Sequence, residues 1–97
     1  MKLNNKTALI TGGSRGIGGA IAKLFAKEGA NISFCHLNDE NNAKNTKDYI
    51  TSLGRKCLAQ NLDISSRENC DLLVSKTLEE IGVPDILVNN AGIIYAR

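Results

Sequence analysis

The sequence predicts an α/β chain built on a doubly wound parallel sheet, with elements in the order βαβαβαβ and strands in the order 3-2-1-4. Three observations lead there. Short apolar runs of strand length alternate with longer runs of helical period along the whole chain. Glycines punctuate the joints, at Gly12, Gly29, Gly54 and Gly82. Strands separated by helices cannot pair as hairpins, so they run parallel, and right-handed crossovers restrict their order.

Each element has its own justification. Lys6 to Thr11 is a compact apolar run closed by Gly12-Gly13, which reads as a buried strand. From Gly16 the period changes, and Ile17, Ala20, Ile21, Leu24 and Phe25 fall on one helical face expected to be buried. Gly29 ends that helix. Asn31 to His36 is the second strand, and Asn38 or Asp39 can cap the helix that follows. Ala43, Thr46, Ile50 and Leu53 form the buried stripe of this helix, and Gly54 ends it. Lys56 to Asn61 is a third strand. Ser65 and Glu68 have capping-box spacing ahead of a helix whose inner face is Cys70, Leu73, Val74, Thr77, Leu78 and Ile81. Gly82 terminates it, and Asp85 to Asn89 is a strongly apolar fourth strand.

Composition excludes several classes. The 12 basic and 10 acidic residues leave a formal net charge of +2 with no basic cluster, which gives no reason to expect nucleic acid or an anionic membrane as partner. No apolar run approaches the ~20 residues needed to cross a bilayer. Met1 to Lys6 turns polar at once and lacks a signal-peptide core, so the expected location is cytoplasmic. Cys35, Cys57 and Cys70 are odd in number and widely spaced, which suits neither a disulfide framework nor a metal site. They read as free thiols filling small apolar volumes, and no metal is expected.

Thr11-Gly12-Gly13-Ser14-Arg15-Gly16-Ile17-Gly18 joins the first strand to the first helix. A pyrophosphate binds at such a junction only if it can lie against backbone N–H groups at the helix N-terminus, where the peptide dipoles favour negative charge. Gly12 permits the tight turn, Gly16 the close approach and Gly18 the packing of helix on strand, while Ser14 adds a hydroxyl donor. A plain turn could use glycine for conformation alone. The position between a strand and a helix is what makes the pattern informative.

TGGSRGIG resembles the TGxxxGxG fingerprint of the classical short-chain dehydrogenase/reductase family. Two further stretches match the family in order: Asp63-Ile64 after the third strand and Asn89-Asn90-Ala91-Gly92 at the end of the fourth. The resemblance covers essentially the whole chain and implies the N-terminal half of a Rossmann-type fold that binds NAD(P). It implies that Gly12, Ser14, Arg15, Gly16, Ile17 and Gly18 surround the pyrophosphate and adenosine ribose. It implies that Asp63 accepts from the adenine amino group, with the Ile64 backbone beside it. It implies that Asn89, Asn90, Ala91 and Gly92 fix the fourth strand and pass under the riboses.

In the family an acid at the end of the second strand selects NAD by binding the ribose 2′-OH. That position is His36 here, followed by Leu37 and Asn38. Arg15 matches the basic residue that NADP-preferring members use for the 2′-phosphate, and a guanidinium suits phosphate. The resemblance therefore points to NADP. Asp39 keeps NAD as the alternative.

The resemblance also implies hydride transfer to or from a small-molecule carbonyl or alcohol, and a homo-oligomeric assembly. The glycine loop is nearest to the acyl-carrier-protein ketoreductase and sugar dehydrogenase branches. Family catalysis uses a serine and a Tyr-x-x-x-Lys pair downstream of the NNAG motif, and this sequence contains neither. Tyr49 is followed four residues on by Leu53, and Tyr95 lies two residues from Arg97, so no catalytic residue is assigned. The expectation is one domain over residues 1–97, truncated after its fourth strand and marginally stable alone. The alternatives are a catalytically inactive remnant and a nucleotide-binding module.

Overall fold

The computed structural model of the chain describes residues 1–14 and 16–90. Its elements are β1 (Thr7–Thr11), α1 (Gly16–Lys27), β2 (Asn31–His36), α2 (Glu40–Ser52), β3 (Cys57–Asn61), α3 (Arg67–Glu80) and β4 (Ile86–Asn89). The four strands form one parallel sheet in the order β3-β2-β1-β4. This is the α/β architecture expected from the sequence, strand order included. β1 and β3 each begin one residue later than the apolar runs suggest, and so does β4, while β2 has the expected bounds.

β1 lies inside the sheet, pairing Ala8 with Ile32 on one side and with Ile86 on the other. All five of its residues are buried, which is why its sequence is continuously apolar rather than alternating. Successive side chains nevertheless point to opposite faces. Ala8, Ile10, Ile32 and Phe34 face α1 and α2, where Ala22, Ala26, Ala43 and Ile50 complete the larger core. Leu9 and Cys35 face the other way and pack with Ile64, Cys70 and Leu73 under α3. A buried hydrogen bond of 2.7 Å between the Ser33 and Thr77 hydroxyls ties α3 to β2.

Two helical faces differ from the sequence reading. In α1 the buried residues are Gly18, Gly19, Ala22 and Ala26, while Ile17 and Leu24 are 72% and 55% exposed and Ala20 is exposed. The helix lies on the sheet along its small residues, and the larger aliphatic residues sit to the side of that line; Ile21 and Phe25 pack at its margin. In α3 Cys70, Leu73 and Thr77 are buried, whereas Val74 and Leu78 are exposed. The α2 stripe holds at Ala43, Thr46 and Ile50, and Leu53 is exposed at its end.

The caps also shift. The N-cap of α3 is Ser66, whose hydroxyl accepts from the Asn69 N–H at 3.1 Å. Ser65, one residue earlier, instead donates its N–H to the Asp63 carboxylate, so the Ser65–Glu68 capping box does not form. Asp39 stands at the N-cap of α2, but its side chain makes no capping bond to the helix backbone.

Candidate functional site: a cleft at the carboxyl ends of the strands

β2 and β3 lie to one side of β1, and β4 to the other. The connections leaving β1 and β4 therefore diverge, and a crevice opens at their carboxyl ends. A cleft of about 730 Å³ occupies this place, a volume ordinary for a small-molecule site. It is lined by Gly12, Ser14, Gly16 and Ile17 from the glycine-rich turn, by Cys35, His36, Leu37 and Asp39 from the end of β2, by Leu62 to Ser65 after β3, and by Asn90 after β4.

The turn is pinned from three directions. The N–H groups of Gly12 and Gly13 both donate to the Cys35 carbonyl at 3.1 Å, which fixes the turn on β2. Thr46 Oγ1, buried in α2, donates to the Ser14 carbonyl at 2.8 Å. Asn90 Nδ2 donates to the Gly12 carbonyl at 3.3 Å, while the Asn90 N–H donates to Thr11 Oγ1 at 2.9 Å. α1 thus starts with its N-terminus aimed into the cleft and its positive dipole end toward any anion held there.

Two glycines answer two different needs. At Gly18 a Cβ would come within 2.0 Å of the Gly12 carbonyl oxygen and 2.7 Å of Asn90 Nδ2, so only glycine lets the helix start beneath the turn. At Gly16 φ is +61°, and an added Cβ would meet nothing within 4 Å. Its backbone faces open space on the cleft wall, a cradle that a side chain would fill. A pyrophosphate fits these features: an open helix N-terminus, a wall without Cβ, and a nearby hydroxyl on Ser14.

Of the residues singled out in the sequence, Gly12, Ser14, Gly16, Ile17, Asp63, Ile64 and Asn90 converge on this cleft. Gly18 lies buried behind its wall. Asn89 points aside, with its Oδ1 3.4 Å from the Thr11 hydroxyl. Arg15, Ala91 and Gly92 lie outside the described residues. Asp63 is fully exposed at the rim, and the N–H and hydroxyl of Ser65 hold its carboxyl below the usual carboxylate range. The same two-residue turn places Leu62 and Ile64 on the cleft wall. Sequence reasoning places neither Leu62 nor Ser65 in the site: Leu62 lies in no motif, and the spacing of Ser65 to Glu68 marks Ser65 only as a helix cap.

His36 is 5% exposed and accepts the Asp39 N–H at Nδ1, 3.1 Å away. Accepting there places the proton of the neutral ring on Nε2, which lies 3.9 Å from the Glu40 carboxylate. Asp39 also enters the cleft: its Oδ2 accepts from the Ser14 hydroxyl at 2.7 Å and its Oδ1 from Asn42 Nδ2 at 3.0 Å. Among the described residues no helix is long and apolar enough to cross a membrane.

The family model described as short chain dehydrogenase matches residues 6–97. The chain belongs to the short-chain dehydrogenase family. General stress protein 39 of Bacillus subtilis is 46% identical to this chain over 91 residues, covering 94% of the chain and 32% of the relative. A 3-oxoacyl-acyl-carrier-protein reductase of Chlamydia muridarum is 44% identical, over 94% of the chain and 37% of the reductase. The crystal structure of a short chain dehydrogenase from Burkholderia cenocepacia in complex with NADP superposes with a TM-score of 0.91 at 40% identity, over 100% of this chain and 40% of that one. The chain spans about a third of the length of the curated relatives it matches. An oxidoreductase family and a Rossmann-type nucleotide-binding fold are thereby established for it.

Proposed function

We propose that the cleft binds NADP(H) and that the protein transfers hydride between this cofactor and a small-molecule carbonyl or alcohol. The observation that carries the reading is the junction of β1 and α1, where a helix N-terminus and the Cβ-free wall at Gly16 meet the Ser14 hydroxyl at the sheet's switch point. The bound NADP of the Burkholderia relative supports the choice of cofactor, and so does Arg15 in the sequence.

Each residue then has a task. Gly12, Gly16, Ile17 and Gly18 seat the pyrophosphate against backbone at the start of α1. Ser14 and Arg15 serve the phosphate and ribose oxygens. The carboxyl ends of β2 and β3 receive the adenosine, with Asp63 accepting from the adenine amino group and Ile64 beside it. Asn90 holds the turn to the end of β4, and the family resemblance gives Ala91 and Gly92 the riboses as their task. When bound, the cofactor supplies or accepts the hydride. This chain's described residues bind and orient it.

The test is a calorimetric titration of the chain with NADPH and NADH, beside the variant Gly18→Ala. NADPH is expected to bind more tightly than NADH. The variant should lose NADPH binding and about 2–3 kcal/mol of stability in urea denaturation, because its Cβ would force the Gly12 carbonyl aside. Equal or tighter NADH binding would overturn the cofactor assignment.

A further inference from the structure

Asn61 closes β3 in register with His36, the last residue of β2, and its exposed side chain reaches across to the loop of residues 37–39 that leads into α2. Its Oδ1 accepts the Asn38 N–H at 2.9 Å, and its Nδ2 donates to Asn38 Oδ1 at 3.1 Å and to Glu40 Oε1 at 3.0 Å. The partners fix which way the amide points, since a backbone N–H only donates and a carboxylate only accepts. Asn38 stands at φ +52°, in the left-handed region, a conformation that persists where its neighbours hold it. The next N–H of the loop, that of Asp39, is taken by His36 Nδ1. The loop so held carries Leu37, 58% exposed, on the cleft wall, where Leu62 and Ile64 add apolar surface from beyond β3. The turn after β3 has separate supports: the Asp63 carbonyl accepts from Asn69 Nδ2 at 2.8 Å, and the Asp63 carboxylate from the Ser65 N–H at 3.0 Å.

From this geometry we infer that Asn61 is a positioning residue for the adenosine end of the cleft, holding the β2–α2 loop so that Leu37 presents apolar surface to an adenine ring. The inference rests on the dinucleotide reading of the cleft given above. Asn61 does not itself line the cleft, so it acts through Leu37 rather than by contact. An adenine ring gains by covering apolar side chains, and it gains less when the wall that carries them must first be ordered. Without the Asn61 amide three hydrogen bonds go at once, and the left-handed turn at Asn38 loses both of these ties to β3. Binding then has to order the loop, and the loss falls on ligands that carry adenine. The pyrophosphate seat at the start of α1 is pinned by Cys35, Thr46 and Asn90 through bonds that do not involve Asn61.

The experiment measures, by NMR titration, the dissociation constants of ADP and of inorganic pyrophosphate for the parent chain, Asn61→Ala and Asn38→Gly. Asn61→Ala is expected to weaken ADP about tenfold and to leave pyrophosphate within about twofold of the parent, because only the loop has to be ordered anew. Asn38→Gly keeps the backbone N–H and the left-handed turn and loses only the side-chain oxygen, so ADP should weaken by about threefold. The split between the two ligands separates positioning from a general loosening of the fold, which would weaken both alike. Circular dichroism identifies a variant that fails to fold, and the other then decides. An unchanged ADP dissociation constant in the folded variants, or equal weakening of ADP and pyrophosphate, would overturn the role of Asn61 and leave the dinucleotide reading standing. A parent chain that binds neither ADP nor NADPH would overturn the dinucleotide reading, and the role of Asn61 with it.

Discussion

Cys57 sits half-buried on β3, and burial pushes its thiol from the ordinary 9.0 up to about 12, against the opposing charge of Lys47. Burial also raises the Cys35 thiol, against a hydrogen bond from the Gly12 backbone. The consequence for stability has a definite sign. Below the ordinary thiol value both folded and unfolded chains keep the proton, and the groups add no pH dependence. Between that value and about 12, the unfolded chain releases the Cys57 proton while the folded chain retains it. Ionisation then favours unfolding, so stability falls as pH rises through this window. Urea midpoints should be level from about pH 6 to about pH 8 and should decline by about pH 10. Cys57→Ala should make that decline shallower, and an unchanged slope would count against this assignment.

The elements show how much of the molecule can be read from sequence. The strand order, the four strands and the three helix positions follow from apolar period and glycine placement, because short buried strands such as β1 leave compact apolar runs between the helices. Which side of a helix is buried is less legible. In α1 closeness to the sheet is set by Gly18, Gly19, Ala22 and Ala26, which a count of large aliphatic residues overlooks. In α3 the contact includes a polar pair, Ser33 with Thr77, and Thr77 also donates to the Leu73 carbonyl at 2.7 Å. A threonine in a helix interior carries no sign of such a partner in its local sequence. The cleft divides in the same way. The glycine turn and Asn90 belong to motifs, so their positions are readable, whereas Asp39 and Ser14 meet only through the docking of α2. The Ser33–Thr77 pair predicts a non-additive result. Thr77→Val should cost about 1–3 kcal/mol by leaving the Ser33 hydroxyl buried without this partner. Ser33→Ala with Thr77→Val should cost less than the sum of the two single changes. Urea denaturation of the two single variants and the double variant measures this directly.

Among the described residues, the two faces of the sheet are unequally covered. α1 and α2 bury one face, and Ile86 and Val88 of β4 pack against that core. On the other face α3 contacts β3 and is tied to β2, and Leu87, in register with buried Leu9, is 62% exposed. Leu72, Val74 and Leu78 of α3 are exposed as well. Apolar surface on a sheet face and beside an edge strand favours association. Sedimentation velocity should therefore show an apparent mass that rises with concentration. Leu87→Lys should lower that rise without loss of helix content, and an unchanged rise would place the association elsewhere.

The inner position of β1 has a kinetic side. Its hydrogen bonds to Asp85 at the foot of β4 join groups 78 residues apart in sequence, and Asn90 reaches Gly12 over the same separation. Closing so long a span is entropically costly, and contacts of this range slow folding. β1, β2 and β3 can pair as soon as α1 and α2 are formed. The glycine turn gains its third tether only when β4 arrives. The cleft is therefore completed late in folding, after β1, β2 and β3 have paired.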